Sequence, residues 1–226
     1  MMKVIIGLIV TSVLAVFLLQ WWLHWRKRTI IEAGAIFGFC QLAMGESLKI
    51  VPVPLFDRPK CIYLIILRGF INGYEAAFFD LLTTNGADWN FQSTVMLRNP
   101  KVMMSRFQLQ TIRWSQPRQK TCGDALDIPG RSRDMASLRL SADDPDWARG
   151  MFSRGSTEFF QKLRSGKWTI EGLQDSLIIY RWGARIPARK LHQYVHQANE
   201  LASYVFSLIT WIWPKKRMDT DRHFSA

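Results

Sequence analysis

Residues 4–23 read VIIGLIVTSVLAVFLLQWWL, and this uncharged run decides how the chain is organised. A helix rises about 1.5 Å per residue, so twenty residues cover roughly the 30 Å hydrocarbon core of a bilayer. Backbone N–H and C=O groups cannot stay unpaired in lipid, so a spanning segment of this length must be helical. The run therefore predicts an N-terminal single transmembrane helix.

A cleavable signal and a buried core helix both fit the run less well than a membrane span does. A cleavable secretory signal has an apolar stretch of about 7–15 residues followed by a small-x-small cleavage site. Here the stretch is longer, and Leu, Gln, Trp and His occupy the place of the small residues. A buried helix of a globular core usually keeps a polar face, whereas this run has no charged residue and only Thr11, Ser12 and Gln20 as polar ones.

The flanks of the run predict its orientation and its contacts with the bilayer surface. Only Lys3 precedes it, whereas Arg26, Lys27 and Arg28 follow it, and basic residues favour the cytoplasmic side. The C-terminal domain is therefore expected in the cytoplasm. Trp21, Trp22 and Trp25 lie where amphipathic rings prefer the headgroup layer, so we predict that they and the three basic residues contact the membrane interface.

Composition points to an anionic neighbour. The chain has 226 residues, a formal net charge of +12 and a hydrophobic content of 48%, enough to bury a core. Between Arg98 and Arg139 there are nine Lys or Arg residues against three acids. A tethered basic domain already faces the anionic inner leaflet, so lipid is favoured as the partner. Nucleic acid is the runner-up for this basic segment, but few aromatic residues are interleaved with the charges, so it is unlikely.

Local patterns beyond the anchor predict an α+β fold, an antiparallel β-meander with helices packed on it. Thr29–Met44 has the spacing of a helix capped by Thr29, which either continues from the span after a break or packs on the soluble domain. Asn72-Gly73 marks a hairpin. Asp144 and Pro145 open another helix. The predicted strands are Cys61–Phe70, Tyr74–Leu82, Trp89–Leu97, Arg106–Ile112, Leu138–Leu140, Lys167–Glu171 and Ser176–Arg181, the last two joined by a turn at Gly172–Asp175. The predicted later helices are one from Pro145, one over Ser156–Leu163 and one over Ala188–Trp213.

Two stretches are not expected to form a helix or a central strand. Leu48–Leu55 contains Pro52 and Pro54 and is predicted to be an edge or extended connector. Trp114–Gly130 is polar and rich in turn residues, which indicates a long surface loop.

The C-terminal end of the last helix is apolar on nearly every face. Val205–Trp213 is too short to span a bilayer, and Pro214-Lys215-Lys216-Arg217 follows it. Trp211, Trp213, Lys215, Lys216 and Arg217 therefore fit a second interfacial segment, and an ordinary core helix with a solvated basic tail fits equally well. The predicted units are an anchor with its basic collar (1–28), a cytoplasmic α+β domain (29–213) and a basic tail (214–226).

Candidate chemical groups do not assemble into a recognisable site in the sequence. His192 and His196 are four residues apart on one helix face, a spacing that could hold a metal ion, but only Glu200 lies nearby. Glu75 and Asp80 are expected on opposite faces of one strand. Cys40, Cys61 and Cys122 are widely spaced, which suits free thiols in a reducing compartment. We predict no catalytic residue, no metal and no cofactor, and enzyme activity is not indicated.

A series of short motifs occurs in one order along about residues 30–206. The motifs are Gly38-Phe39, Pro54-Leu55-Phe56, Leu67-Arg68-Gly69, Gly73-Tyr74-Glu75, Phe79-Asp80, Thr83-Thr84-x-Gly86, Thr94-Val95, Arg106-Phe107-x-Leu109, Asp143-Asp144-Pro145-Asp146-Trp147-Ala148, Trp168-x-Ile170-Glu171-Gly172, Leu177-x-x-Tyr180-Arg181 and Arg185-Ile186-Pro187. In this order they resemble a family of uncharacterised bacterial membrane-anchored proteins. The resemblance implies a β-hairpin half followed by a helix–strand–strand–helix half, in a protein of the bacterial inner membrane. The family has no known activity, so the resemblance implies no catalytic residue.

The sequence thus predicts a single-pass membrane protein whose basic cytoplasmic domain binds a partner protein or anionic lipid at the inner leaflet. The alternative is an accessory structural subunit of a larger membrane protein complex, in which the Trp-rich span packs against other helices.

Overall fold

The computed structural model describes residues 2–42, 61–85, 88–111, 125–126 and 137–212. The described elements, in chain order, are α1 (Met2–Ala35), β1 (Cys40–Gln41), β2 (Cys61–Ile71), β3 (Tyr74–Asn85), β4 (Asp88–Arg98), β5 (Met104–Thr111), β6 (Ala125–Leu126), β7 (Leu138–Ala142), α2 (Pro145–Phe152), α3 (Thr157–Ser165), β8 (Trp168–Gln174), β9 (Ser176–Arg181), a 3₁₀ turn (Ala188–Lys190) and α4 (Leu191–Ile212).

The N-terminal helix is longer than the sequence pattern predicts. α1 runs without interruption from Met2 to Ala35, 34 residues, so the apolar run and the start of the predicted second helix are one element. The expected cap at Thr29 is wrong, because the Thr29 hydroxyl donates to the carbonyl of Arg26 inside the helix. α1 is long and apolar enough to cross a membrane, and its most apolar window is not buried against the rest of the chain.

The strands form one antiparallel sheet with the order β1-β2-β3-β4-β9-β8-β5-β7-β6. β2, β3 and β4 are a meander, and Asn72 and Gly73 both have positive φ, 50° and 83°, at the first hairpin. Two adjacent positive-φ residues are typical of the type I′ turn that suits the twist of a hairpin. The predicted hairpin is therefore confirmed, and so is the α+β fold class.

The position of β5 could not be read from its place in the chain. β5 does not continue the meander beside β4, because the β8–β9 hairpin lies between them. That hairpin also turns later than predicted: Gly172 pairs with Phe107 and Leu177, and the turn falls at Gln174 and Asp175. A side chain at Gly172 would collide with the Phe107 ring, so a glycine lets the two strands pack closely there.

The helices pack on the core face of the sheet. Alternate strand residues such as Leu67, Phe78, Val95 and Ile179 are fully buried with residues of α1, α2, α3 and α4. The predicted start of α2 is confirmed, since the Asp144 carboxylate accepts the N–H of Trp147 at 3.0 Å. The opposite face of the sheet carries a smaller buried cluster around Phe79, Met96, Ile178 and Tyr180.

α4 is a core helix over its described side chains. Val205, Phe206 and Ile209 are almost completely buried. As far as Ile209, the structure therefore shows the core helix and not the interfacial segment. The Tyr194 hydroxyl donates to the Ser93 carbonyl at 2.8 Å, and the Phe206 ring lies 5.1 Å from that of Tyr74. Tyr194 thus contacts β4 and Phe206 contacts β3, and the two residues are roughly 18 Å apart along the axis of α4.

Several predictions fall wholly or partly on residues outside the described ranges. These are the connector Leu48–Leu55, Cys122, the tail from Trp213 onward and most of the loop Trp114–Gly130. Within that loop, Ala125 and Leu126 form β6 and pair with β7.

Candidate membrane-proximal site

One face of α1 joins the apolar run to the sheet. Trp22, Arg26 and Ile30 recur every four residues and are 37%, 8% and 0% exposed, so burial increases steadily toward the C-terminal end of the helix. Further along, the Cα of Gly34 comes so close to β2 that an added Cβ would lie 2.5 Å from Leu67 Cδ1. The last three turns of α1 therefore belong to the domain, and the preceding turns project from it.

Arg26 is the polar centre of this junction. Its Nε donates to Asp80 Oδ2 at 2.7 Å and its Nη2 to Asp80 Oδ1 at 3.0 Å, which is the two-bond geometry that arginine forms with a carboxylate. The same Nη2 donates to the Ile186 carbonyl at 3.0 Å. The sequence pattern predicts Arg26 in the headgroup layer, but its guanidinium is turned into the domain.

Asp80 connects three further parts of the fold. It is 0% exposed, and its Oδ1 also accepts the Ser93 hydroxyl at 2.9 Å. Ser93 Oγ in turn accepts the N–H of Ile186 at 3.0 Å. The carboxylate therefore holds α1, β3, β4 and the segment after β9 in one network. No local pattern indicates this role, because Arg26 and Asp80 are 54 positions apart.

Arg185 is a second cation beside the same carboxylate. Its guanidinium carbon lies 3.9 Å from the centre of the Trp22 ring and 4.2 Å from that of Phe91, so it is held between two aromatic faces. Its Nη2 is 3.7 Å from Asp80 Oδ2, too far for a hydrogen bond. Among the described residues, the buried Nε and Nη2 of Arg185 have no hydrogen-bond acceptor.

Burial weakens the hold of Arg185 on its proton. Burial and, to a smaller extent, the nearby charge of Arg26 together lower the pKa of Arg185 to about 10, against the opposing charge of Asp80. The guanidinium is still charged at neutral pH. Asp80 already accepts two hydrogen bonds from Arg26 and one from Ser93, and Arg185 is too far away to donate another, so the positive charge of Arg185 is only partly compensated.

A cavity of about 260 Å³ opens at this junction. Its polar lining consists of Arg26, Lys27, Arg185, His24 and Asp80. Its apolar lining consists of Leu23, Leu64 and Ile65, and Leu64 is the extra residue at an irregularity in the pairing of β2 with β3. With three cations, one carboxylate and His24 neutral, the lining carries a net charge of +2.

The other residues predicted at the interface are not gathered into one site. Trp21 and Trp25 are 62% and 55% exposed on the outer side of α1. Arg28 is exposed and pairs with Glu32 at 2.9 Å. Trp211 belongs to the last turn of α4, roughly 25 Å along that helix from Tyr194, which contacts Ser93 beside Asp80, so it does not lie at the junction. The remaining predicted residues, Trp213, Lys215, Lys216 and Arg217, lie outside the described part of the chain.

The remaining titratable groups serve local contacts. The His192 ring stacks on Phe37 at 4.9 Å, and the His192 and His196 rings are 6.3 Å apart. His196 Nδ1 is 3.6 Å from the Glu200 carboxylate, which also binds Lys162. Over the described ranges, no three His, Cys, Asp or Glu side chains are grouped as a metal site would require. Glu75 pairs with Arg68 and Arg98, on the opposite face of β3 from Asp80.

A second buried carboxylate lies on the sheet face away from the helices. Glu171 is 0% exposed, and its Oε1 accepts the Tyr180 hydroxyl at 2.5 Å and the Gln108 amide at 2.7 Å. These three residues come from β8, β9 and β5, so the contact joins the β8–β9 hairpin to its neighbour β5.

Comparison with known proteins identifies the architecture. The fold resembles that of the mycobacterial trehalose monomycolate transport factor A, TtfA, in its crystal structure. The match has a TM-score of 0.56 at 14% sequence identity and covers 80% of this chain and 93% of TtfA. This likeness establishes a shared fold. No family model and no curated protein sequence matches the chain, so the resemblance to an uncharacterised membrane-anchored family stays a prediction.

Proposed function

We propose that this chain is a single-pass, membrane-tethered accessory factor of a transport system, and that its cytoplasmic domain acts by binding rather than by catalysis. The observation that carries the proposal is the continuity of α1, which passes from an exposed apolar run into the sheet and is fixed there by Arg26 and Asp80. An anchor joined in this way holds the domain in a fixed orientation at the bilayer, which suits an accessory factor that binds a membrane partner.

The environment of Asp80 favours binding over catalysis. Its oxygens accept two bonds from Arg26 and one from Ser93, and the residue has no exposed surface. A carboxylate used in this way stabilises the junction and is not available as a general base to a substrate from solution. The other buried carboxylate, that of Glu171, is likewise engaged by two donors.

The transport assignment rests on the fold. TtfA is named as a factor in the transport of trehalose monomycolate, and this chain shares its architecture over most of both lengths. We infer a comparable accessory role in transport for this chain at its own membrane. The net charge of +12 supports placement of the domain against an anionic cytoplasmic leaflet.

The alternative, a structural subunit of a larger complex, is favoured by one feature of the apolar run. Gly7, Thr11 and Ala15 are spaced four residues apart on one face of α1, the spacing at which membrane helices approach closely. An added Cβ at Gly7 would meet nothing within 4 Å in this chain. A substitution there therefore probes an external helix without disturbing the protein itself.

The deciding experiment is affinity purification of the full chain from membranes of its own host in mild detergent. An accessory factor or subunit retains a stoichiometric membrane protein, and recovery of a lone monomer would contradict both roles. Gly7→Leu is expected to release a partner that packs on the span, whereas Val16→Leu, an exposed change on the opposite face of α1, is the matched control. If both variants keep the partner, the domain makes the contact and the accessory role is favoured.

Orientation is tested separately through Cys40, which is exposed. In a chain carrying Cys61→Ser and Cys122→Ser, a membrane-impermeant maleimide should label Cys40 only after the cells are permeabilised. Labelling in intact cells would place the domain on the outer side.

A further inference from the structure

We propose that the cavity at the junction of α1 with β2 and β3 binds the phosphate of an anionic glycerophospholipid. This inference deepens the proposed function and rests on its premise that α1 spans the membrane. It assigns a ligand class to a site that is built from Arg26, Lys27, Arg185 and Leu64.

The charge of the lining calls for an anion. Three cations face one carboxylate, and that carboxylate already accepts two hydrogen bonds from Arg26 and one from Ser93. A guanidinium whose charge is only partly compensated is costly to bury, and the Arg185 side chain keeps 17% of its surface exposed and lines the cavity. A phosphate oxygen is the acceptor that arginine and lysine side chains recognise best.

Arg185 is prepared for such a ligand before it binds. The Trp22 and Phe91 rings hold its guanidinium at 3.9 and 4.2 Å, which fixes the plane of the donors. A side chain that is already ordered loses little conformational freedom on binding, so more of the interaction energy appears as affinity.

The location of the cavity selects a lipid as the source of the phosphate. It begins at Leu23, the last residue of the uncharged run, close to the exposed ring of Trp21 along α1. A lipid phosphate lies at this depth when α1 spans the bilayer. One wall is apolar, through Leu23 and Leu64, and would accept the glycerol ester region and the start of an acyl chain. At about 260 Å³ the cavity is below the roughly 300–1,000 Å³ of whole-ligand pockets, so it suits a headgroup.

The test uses the full chain in a neutral detergent and native mass spectrometry with added lipid. We expect phosphatidylglycerol to be retained over phosphatidylcholine, and Lys27→Gln to reduce that retention about fivefold. Arg28→Gln is the matched control, because it removes an equal charge at the same depth from the outward side of α1. Arg185→Gln should act like Lys27→Gln. A Lys27→Gln variant that stays folded and retains phosphatidylglycerol as well as Arg28→Gln would overturn the site.

Inorganic phosphate separates the two sources of the anion. If phosphate displaces phosphatidylglycerol only at millimolar concentration and above, the lipid assignment stands. If phosphate binds as tightly as the lipid and with the same dependence on Lys27, the cavity is a free-phosphate site and the lipid assignment fails. Retention of a membrane protein partner by a Lys27→Gln chain that has lost its lipid would leave the proposed accessory role intact. If wild-type preparations retain the lipid but no membrane protein partner, the result would count against the accessory role and not against the lipid site.

Discussion

Arg26 and Asp80, 54 positions apart, form two hydrogen bonds of 2.7 and 3.0 Å in the interior of the protein. Arg26 lies on the helix that carries the apolar run, and Asp80 lies in the middle of the sheet, so this pair joins the anchor to the domain. Both side chains are nearly inaccessible, at 9% and 1% exposure. A fully desolvated pair of this kind makes the junction intolerant of the loss of either partner.

The first prediction concerns removal of the carboxylate. Asp80→Asn leaves Arg26 and Arg185 buried without a counter-charge, and breaking one side of a buried pair costs about 3–5 kcal/mol. We expect a loss of that size in the free energy of unfolding of the full chain in detergent, measured by denaturant titration. Glu75→Gln, on the same strand but in partly exposed ion pairs, should cost less than about 1 kcal/mol.

A double substitution then separates two causes of the stability loss: the lost contact itself and the burial of a charge without its partner. Arg26→Met combined with Asp80→Leu removes both members and should recover much of the stability that either single change loses. Arg185 remains in that variant and loses the nearby charge of Asp80, so recovery should be incomplete. Equal and additive losses from the two single changes would mean that the pair does not couple α1 to the sheet.

The sequence is sufficient for elements with local signals and insufficient for contacts made at a distance. Asn72-Gly73, Asp144-Pro145 and the alternation in β5 each carry their structure within a few residues, so the sequence predicts all three. It does not predict the neighbour of β5, because β8 and β9 lie more than fifty residues further on. Arg26 carries the same sequence signal whether it faces lipid headgroups or a carboxylate, so only the fold distinguishes the two.

A second prediction concerns the end of α1. Phe39 follows α1 and its ring lies on Gly69 of β2, where an added Cβ would collide with Phe39 Cδ1. Gly69→Ala must displace this ring and should cost about 1–3 kcal/mol in the free energy of unfolding. The control is Gly150→Ala in α2, where nothing lies within 4 Å and alanine should stabilise by about 0.5–1 kcal/mol. An equal response of the two variants would exclude a specific Phe39 contact.

The Glu171 contact yields a third prediction. Tyr180→Phe removes a hydrogen bond to the buried Glu171 Oε1 and leaves the shape of the core unchanged. Removing one partner of a buried polar group costs about 1–3 kcal/mol, so stability should fall by that amount. Tyr74→Phe, on the other face of the sheet and only half-buried, is the control and should fall by less. No difference between them would show that Tyr180 contributes only its ring.

The last prediction concerns alkaline pH. Burial of Tyr194 raises the pKa of its phenol above the ordinary value of about 10, and the bonds and charge around Arg181 oppose this only in part. Above pH 10 the unfolded chain therefore releases this proton while the folded chain retains it, so the folded state binds more protons. Stability must then decrease as pH rises.

Tyr194→Phe removes that proton difference. The variant loses the hydrogen bond to the Ser93 carbonyl, so it should be less stable than the wild type at pH 7 by about 0.5–1.5 kcal/mol. Between about pH 10 and 11.5 its free energy of unfolding should fall less steeply than that of the wild type, so the two curves approach each other. Denaturant titrations at half-unit intervals measure this, with Tyr204→Phe as a control for a half-buried tyrosine. Parallel curves for wild type and Tyr194→Phe would show that Tyr194 ionises equally in the folded and unfolded states. That result would contradict the burial of its hydroxyl against the Ser93 carbonyl.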